Sequence, residues 1–200
     1  MKLVFDFGGV VFRWRPDEFL LRLLPERCAT RAAALAFTAE FFQGFGGDWA
    51  EFDRGCMEAG TLAARIAART GVAVEQARRV IDAVPDELQP VPEMEALLQR
   101  LHAAGCTLFY LSNMPAAYAH HLDATHAVLG LFERGVYSSR IGLIKPEPAL
   151  FAHAAEVFGA APAELLLIDD NAANIAAARR AGWRGLHFEN AAQCAAALGH

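Results

Sequence analysis

The sequence predicts an α/β fold, a doubly wound parallel sheet interrupted by a helical insertion. Three observations carry that prediction. Short apolar runs without polar alternation recur along the chain. Helical patterns ending in glycine follow most of them. One interval of about 70 residues, far longer than a median loop of roughly 4–6, holds helical patterns only.

The strand candidates are Leu3-Val4-Phe5, Thr107-Leu108-Phe109-Tyr110-Leu111, Leu165-Leu166-Leu167-Ile168 and Gly185-Leu186-His187-Phe188. Val136-Tyr137-Ser138 is a weaker one. Continuous apolarity is what a strand buried on both faces requires. Helical patterns over 92–104, 147–158, 171–181 and 191–198 close on Gly105, Gly159, Gly182 and Gly199. A left-handed residue is favoured just past a helix, and glycine adopts it without strain.

The insertion begins with a short helix over 17–24, stopped by Pro25, and a second over 31–42. Thr61 is the expected N-cap of a third, 62–70, which ends at Gly71. Val74, Ala77, Ile81 and Val84 recur at helical spacing. Linkers are expected near 12–16 and 85–92. The division is therefore a core over 1–13 and 88–200 and a small helical cap over 14–87.

Composition excludes several function classes. The chain has 200 residues, 54% of them hydrophobic, and a net charge of -5. No Lys/Arg block suits nucleic acid. No run reaches the roughly 18 apolar residues of a membrane span. The apolar start is broken by Asp6 and two glycines and does not read as a signal peptide. Cys28, Cys56, Cys106 and Cys194 form no CxxC pair, so neither zinc nor a disulfide framework is suggested and a reducing cytoplasm fits. His120, His121 and His126 read as a solvated helix end rather than a metal site. A monomer or homodimer is expected.

In open parallel sheets, ligands bind at the carboxyl ends of the strands. Those ends carry Asp6-Phe7-Gly8-Gly9, Ser112-Asn113, a loop with Lys145-Pro146-Glu147-Pro148, and Asp169-Asp170-Asn171. Three carboxylates in one crevice repel each other unless a divalent cation sits among them. All-oxygen ligation with room for water and phosphate suits magnesium. Lys145 would neutralise a phosphate oxygen or hold a carboxylate in place. Gly8 and Gly9 would let backbone N–H groups face an anion, with Ser112 and Asn113 as further donors.

The segments "FDFGGV", "LSN", "GLIKPEPALF" and "LLLIDDNAANIAAARRAGW", in that order, resemble the motifs of the haloacid dehalogenase superfamily, whose members are mostly phosphatases. The resemblance covers nearly the whole chain. It implies a Rossmann-like core with strand order 5-4-1-2-3. It also implies a Mg2+-dependent hydrolase removing phosphate from a small soluble phosphomonoester, such as a sugar phosphate. Asp6 would be nucleophile and metal ligand, with the Gly8 carbonyl and Asp170 as further ligands. Asp169 would act through water or by orienting Lys145. Ser112, Asn113 and Lys145 would cradle the phosphoryl group.

One position departs from the family. Most of its phosphatases carry aspartate two residues after the nucleophile, as proton donor, where this chain has Gly8. A leaving group of low pKa is one explanation, and a branch resembling glucose-1-phosphate phosphatases shares the departure. A proton donor from the insertion is another; "GFGGDWAEFDRG" offers Asp48, Glu51, Asp53 and Arg54. A weak site is the third. The alternatives to a phosphatase are a 2-haloacid dehalogenase, which the paired charges of Asp169 and Asp170 disfavour, and a non-catalytic phosphometabolite-binding protein. Trp14, Phe41, Phe42, Phe45, Trp49 and Phe52 are candidates for a pocket or for core. Gly44, Gly46 and Gly47 suggest a turn that closes over the site, and Asn174 is a candidate to bond the Asp6 loop.

Overall fold

A sheet of strands buried on both faces needs helices on both sides. The computed structural model has that arrangement over the residues it describes, 2–200. Met1, where the expected core segment begins, lies outside the described residues. The strands are β1 (Lys2–Phe5), β2 (Thr107–Ser112), β3 (Arg134–Tyr137), β4 (Leu165–Asp169) and β5 (Arg184–His187). They stand in the order β3-β2-β1-β4-β5, all pairs parallel. This is the expected order, read from the other edge.

Side chains alternate across β1. Leu3 and Phe5 face one apolar layer, and Val4 faces the other together with Phe109, Leu111 and Leu167. The run 185–188 departs from two-sided burial: in β5, Arg184 and His187 are exposed. It is an edge strand, paired only with β4.

Five helices intervene between β1 and the rest of the core: α1 (Pro16–Leu23), α2 (Arg31–Phe42), α3 (Asp48–Asp53), α4 (Ala59–Thr70) and α5 (Val74–Glu87). Their buried residues, among them Phe19, Phe41, Leu62 and Ile81, continue the apolar layer of Leu3 and Phe5. The two connections lie side by side. Arg13 N–H donates to the Gln89 carbonyl at 2.8 Å and Val91 N–H to the Val11 carbonyl at 2.9 Å. Buried Glu87 pairs with Arg13 at 3.2 Å and with Arg22 of α1.

Two expectations about the insertion are corrected. Thr61 is not an N-cap; α4 starts at Ala59, and Thr61 lies in its first turn. The helix of Val74 does not stop before Pro85 but runs through it to Glu87. A proline lacks the N–H that would bond the carbonyl four residues earlier. Here that carbonyl belongs to Ile81, and the Tyr118 hydroxyl donates to it at 2.7 Å. The donor comes from a distant helix, so no local signal shows it.

The remaining helices are α6 (Pro92–Ala103), α7 (Ala116–Thr125), α8 (Pro148–Phe158), α9 (Ala172–Arg180) and α10 (Ala191–Leu198). Residues of α6, α7 and α10 join the Leu3 layer, and those of α8 and α9 the Val4 layer. Among the described residues no helix is long and apolar enough to cross a membrane.

Candidate active site

Parallel register sets the site. Phe5 lies opposite Ile168, so Asp6 and Asp169 emerge side by side where β1 and β4 end. Asp6 N–H still bonds the Ile168 carbonyl at 2.9 Å, after which the chain turns. The apolar neighbours of Asp6 anchor that turn. The Phe7 ring is fully buried against Phe12, Tyr110 and Tyr137, with centroids 5.1, 4.5 and 5.8 Å away. Asp6 itself faces the strand-end cavity, and its Oδ1 accepts the Phe7 N–H at 2.6 Å.

Asp6, Asp169 and Asp170 each bring a carboxylate oxygen within 4.8 Å of the others. Lys145 Nζ stands 2.8 Å from Asp6 Oδ1 and 2.7 Å from Asp169 Oδ2, and it is 1% exposed. Burial opposes its charge, but the two carboxylates outweigh burial and hold the ammonium above its ordinary pKa. Asp6 is pushed upward, first by burial and then by Asp169 and Asp170, against the pull of Lys145. Asp170 shifts the same way for the same reasons, burial first. Three carboxylates facing one ammonium leave an excess of negative charge. That donor set fits a hard divalent cation with oxygen ligands.

The two aspartates where β4 ends, Asp169 and Asp170, differ in their bonds. Asp169 is fully buried and accepts from Lys145, from Asn171 N–H at 2.8 Å and from Asn174 Nδ2 at 3.1 Å. Among the described residues the Asp170 side chain has no hydrogen bond of comparable kind, and it is more exposed. Asn174 therefore does not bond the Asp6 loop; it orients Asp169. Asn171 caps α9 by accepting Ala173 N–H at 2.9 Å.

The glycines and the "LSN" residues also separate. Gly8 lines the cavity, whereas the Gly9 N–H is engaged by the Phe12 carbonyl at 2.9 Å and does not face an anion. Gly9 instead supplies space: its φ is +81°, and a Cβ there would collide with Asp170 Oδ2. Gly9→Ala is expected to destabilise the fold by about 1–3 kcal/mol in urea unfolding, from backbone strain alone. Asn113 clamps the Lys145 peptide, accepting its N–H at 2.7 Å and donating to its carbonyl at 3.0 Å. The Ser112 hydroxyl is buried and has no partner among the described residues.

Above these groups is a cavity of about 450 Å³. Its floor is Asp6, Gly8, Asn113, Lys145 and Asp170. The insertion supplies Trp14, Phe42, Phe45, Trp49 and Val84, the segment just after it supplies Leu88, and α7 supplies Tyr118. Of the six candidate aromatics, Phe41 and Phe52 are core instead. The glycine turn contributes Gly44 and Phe45 to the wall. One carboxylate of the insertion, Asp53, lines the same cavity, and its pKa is raised to about 8, by burial first and then by Asp6. The other candidates are committed elsewhere. Asp48 pairs with Arg65 and Arg69, and Glu51 is exposed beside Arg54.

The parallel α/β core thus gathers three aspartates and one lysine at its strand ends. The sequence model of the haloacid dehalogenase-like hydrolases matches residues 3–182, and the chain belongs to that family. A sesquiterpene phosphatase of Aspergillus oryzae is 25% identical over 186 residues, 92% of this chain and 88% of that protein. A phosphoglycolate phosphatase of Thiobacillus denitrificans is 36% identical over 85 residues, 42% of this chain and 37% of that one. Among solved structures, a haloacid dehalogenase family enzyme of Bacteroides thetaiotaomicron, in complex with magnesium and inorganic phosphate, superposes with TM-score 0.70. It is 21% identical, over 94% of this chain and 93% of that one. L-2-haloacid dehalogenase of Xanthobacter autotrophicus, with chloropropionic acid covalently bound, gives 0.68 at 20% identity, over 92% and 75%. At these identities the structures establish the shared fold.

Proposed function

We propose that this chain is a magnesium-dependent phosphohydrolase in which Asp6 takes the phosphoryl group of a small phosphomonoester. The observation that carries the reading is the convergence of Asp6, Asp169 and Asp170 around Lys145 at the ends of β1 and β4. Asp6, the Gly8 carbonyl and Asp170 would hold the cation. The bonded Asp169 would aim Lys145, Asn113 would hold the Lys145 peptide in place, and Lys145 with the unpartnered Ser112 hydroxyl would receive the phosphoryl oxygens. The cation, when bound, neutralises phosphoryl charge. An Asp6 oxygen attacks phosphorus and forms an aspartyl phosphate, which water then hydrolyses; one hard step becomes two easier ones. The helices over 14–87 serve as a cap on a core of 1–13 and 88–200, a division supported by the paired connections at Arg13 and Gln89.

The cavity wall favours an apolar organic group over the sugar considered from the sequence. Phe42, Phe45, Val84 and Leu88 make much of the wall apolar and offer a sugar's hydroxyls no partners, and each buried methylene contributes about 0.8 kcal/mol. The name of the Aspergillus relative is in line with this. Phosphate release from octyl phosphate, glucose 1-phosphate and phosphoglycolate tests both parts. Octyl phosphate is expected to be preferred by about tenfold or more in kcat/KM, since 1.4 kcal/mol is one decade. EDTA should abolish release and magnesium restore it. Release undiminished by EDTA would remove the metal from the reading.

A further inference from the structure

Gly8 leaves the reaction without a proton donor on the nucleophile's loop. An alkoxide is a poor leaving group, and an apolar alcohol needs a proton as its bond to phosphorus breaks. The cavity wall narrows the source of that proton. Three carboxylates line the cavity, and two of them, Asp6 and Asp170, belong to the cluster that fits a cation. Lys145 is held between two carboxylates. The Tyr118 hydroxyl is already donating to the Ile81 carbonyl. Asp53 is left.

We propose that the Asp53 carboxyl, at the end of α3, is the general acid and base that Gly8 cannot be. The proposal rests on the phosphohydrolase reading and adds a residue to it.

The placement of Asp53 is fixed from outside the insertion. Ser138, fully buried at the end of β3, donates its hydroxyl to the Asp53 carbonyl at 2.5 Å and accepts Met114 N–H at 2.8 Å. That single hydroxyl ties the end of α3 to the segment that follows β2. The next residue, Arg54, forms two bonds with Glu147, at 3.0 and 2.6 Å, and one with the Gly142 carbonyl at 3.0 Å. Gly55, at φ +79°, presses on Ser139, where a Cβ would come within 2.8 Å of the backbone oxygen. The α3 terminus is therefore fastened to the core beside the Lys145 loop rather than carried on a swinging segment. The backbone that carries the Asp53 carboxyl is thus held at the wall of the cavity that Asp6 also lines, and proton transfer requires a donor kept within such limits.

The chemistry balances. As an Asp6 oxygen bonds to phosphorus, the phosphorus–oxygen bond to the alcohol breaks, and its electron pair passes to the leaving oxygen. That oxygen takes the Asp53 proton and departs as neutral alcohol. The Asp53 carboxylate then removes a proton from water as the water oxygen attacks phosphorus. The bond to Asp6 breaks, its electron pair returns to the carboxylate, and inorganic phosphate leaves. Both aspartates end as they began.

The test compares leaving groups. kcat/KM reports only steps up to phosphoryl transfer, so the second half-reaction does not blur it. Asp53→Asn is expected to lower kcat/KM for octyl phosphate by about 10²–10⁴-fold, the usual loss for a missing acid. For p-nitrophenyl phosphate, whose leaving group needs no proton, the same variant should lose less than about tenfold. Asp53→Glu, which keeps an acid, should recover at least about tenfold of the octyl phosphate loss. Equal losses on both substrates overturn the proposal, as does an undiminished rate on octyl phosphate. Parent protein that hydrolyses neither ester overturns the phosphohydrolase reading itself, and the proposal with it.

Discussion

Asp6→Asn is expected to lower phosphate release by roughly 10⁴–10⁶-fold, the scale of removing a covalent nucleophile. A carboxamide has the shape of the carboxylate but no oxygen basic enough to attack phosphorus. The loss corresponds to about 5.5–8 kcal/mol in the barrier. Stability should move the other way or not at all. Asp6 lies in a crevice with Asp169 and Asp170, and burial pushes its pKa upward. The folded metal-free protein thus holds a proton there more tightly than the unfolded chain does. Its stabilising contribution is present at low pH and is lost as pH rises through the raised value. A neutral Asn removes that loss. The thermal midpoint of Asp6→Asn without magnesium at pH 7.5 should equal or exceed that of the parent. Magnesium should raise the parent's midpoint more than the variant's, because one ligand is gone. A variant that keeps even a tenth of parental turnover would sink the assignment of the nucleophile.

How much of this was legible in the sequence depends on whether the cause is local. Strands β1, β2 and β4 read clearly because burial on both faces writes itself as unbroken apolarity in Leu3-Val4-Phe5 and Leu165-Leu166-Leu167-Ile168. Strand β5 read as more buried than it is, because Leu186 and Phe188 look alike whether or not a further strand covers them. Helix α3 has six residues, too few for a 3.6-residue period to declare itself. Helix α7 was legible only as a solvated helix end at His120-His121, and its buried face of Tyr118, Ala119 and Leu122 was not. Pro85 read as the start of a linker, and only Tyr118, 37 positions from Ile81 along the chain, supplies the Ile81 carbonyl with the donor that lets the helix continue. In the site, the residue types and their strand-end positions were legible: Asp6, Lys145, Asp169 and Asp170. Partner choice was not. Asn174 turns to Asp169, Asn113 to the Lys145 peptide, and Gly9 makes room for Asp170. The stretch that holds Asp53 was visible as the place for a proton donor. Which of its acids faces the cavity depended on Arg65 and Arg69 claiming Asp48.

Lys145→Met is expected to cost about 3–5 kcal/mol of stability as well as turnover. Methionine fills much of the lysine's volume, so the effect is one of charge rather than of a void. Lys145 Nζ is the shared partner of Asp6 and Asp169, all three groups being at most 9% exposed. Without it, two buried carboxylates face each other with only Asn171 and Asn174 left to donate to Asp169. Removing one member of a buried ion pair is far more damaging than the pair is worth, because the remaining charge has no solvent to turn to. For a chain of this size the thermal midpoint should fall by about 6–20 °C, at 2–4 °C per kcal/mol. The deficit should shrink as pH is lowered from 7.5 to 5.5. Loss of the ammonium removes the one pull that lowers the Asp6 pKa against burial, and protonating Asp6 relieves the repulsion. Magnesium should shrink it too, since a cation between Asp6 and Asp170 restores part of the missing positive charge. Thermal unfolding at both pH values, with and without magnesium, separates these effects. A deficit that neither acid nor magnesium reduces would mean that Lys145 stabilises through its packed methylenes, and that the charge arrangement around Asp6 is not what holds this end of the sheet together.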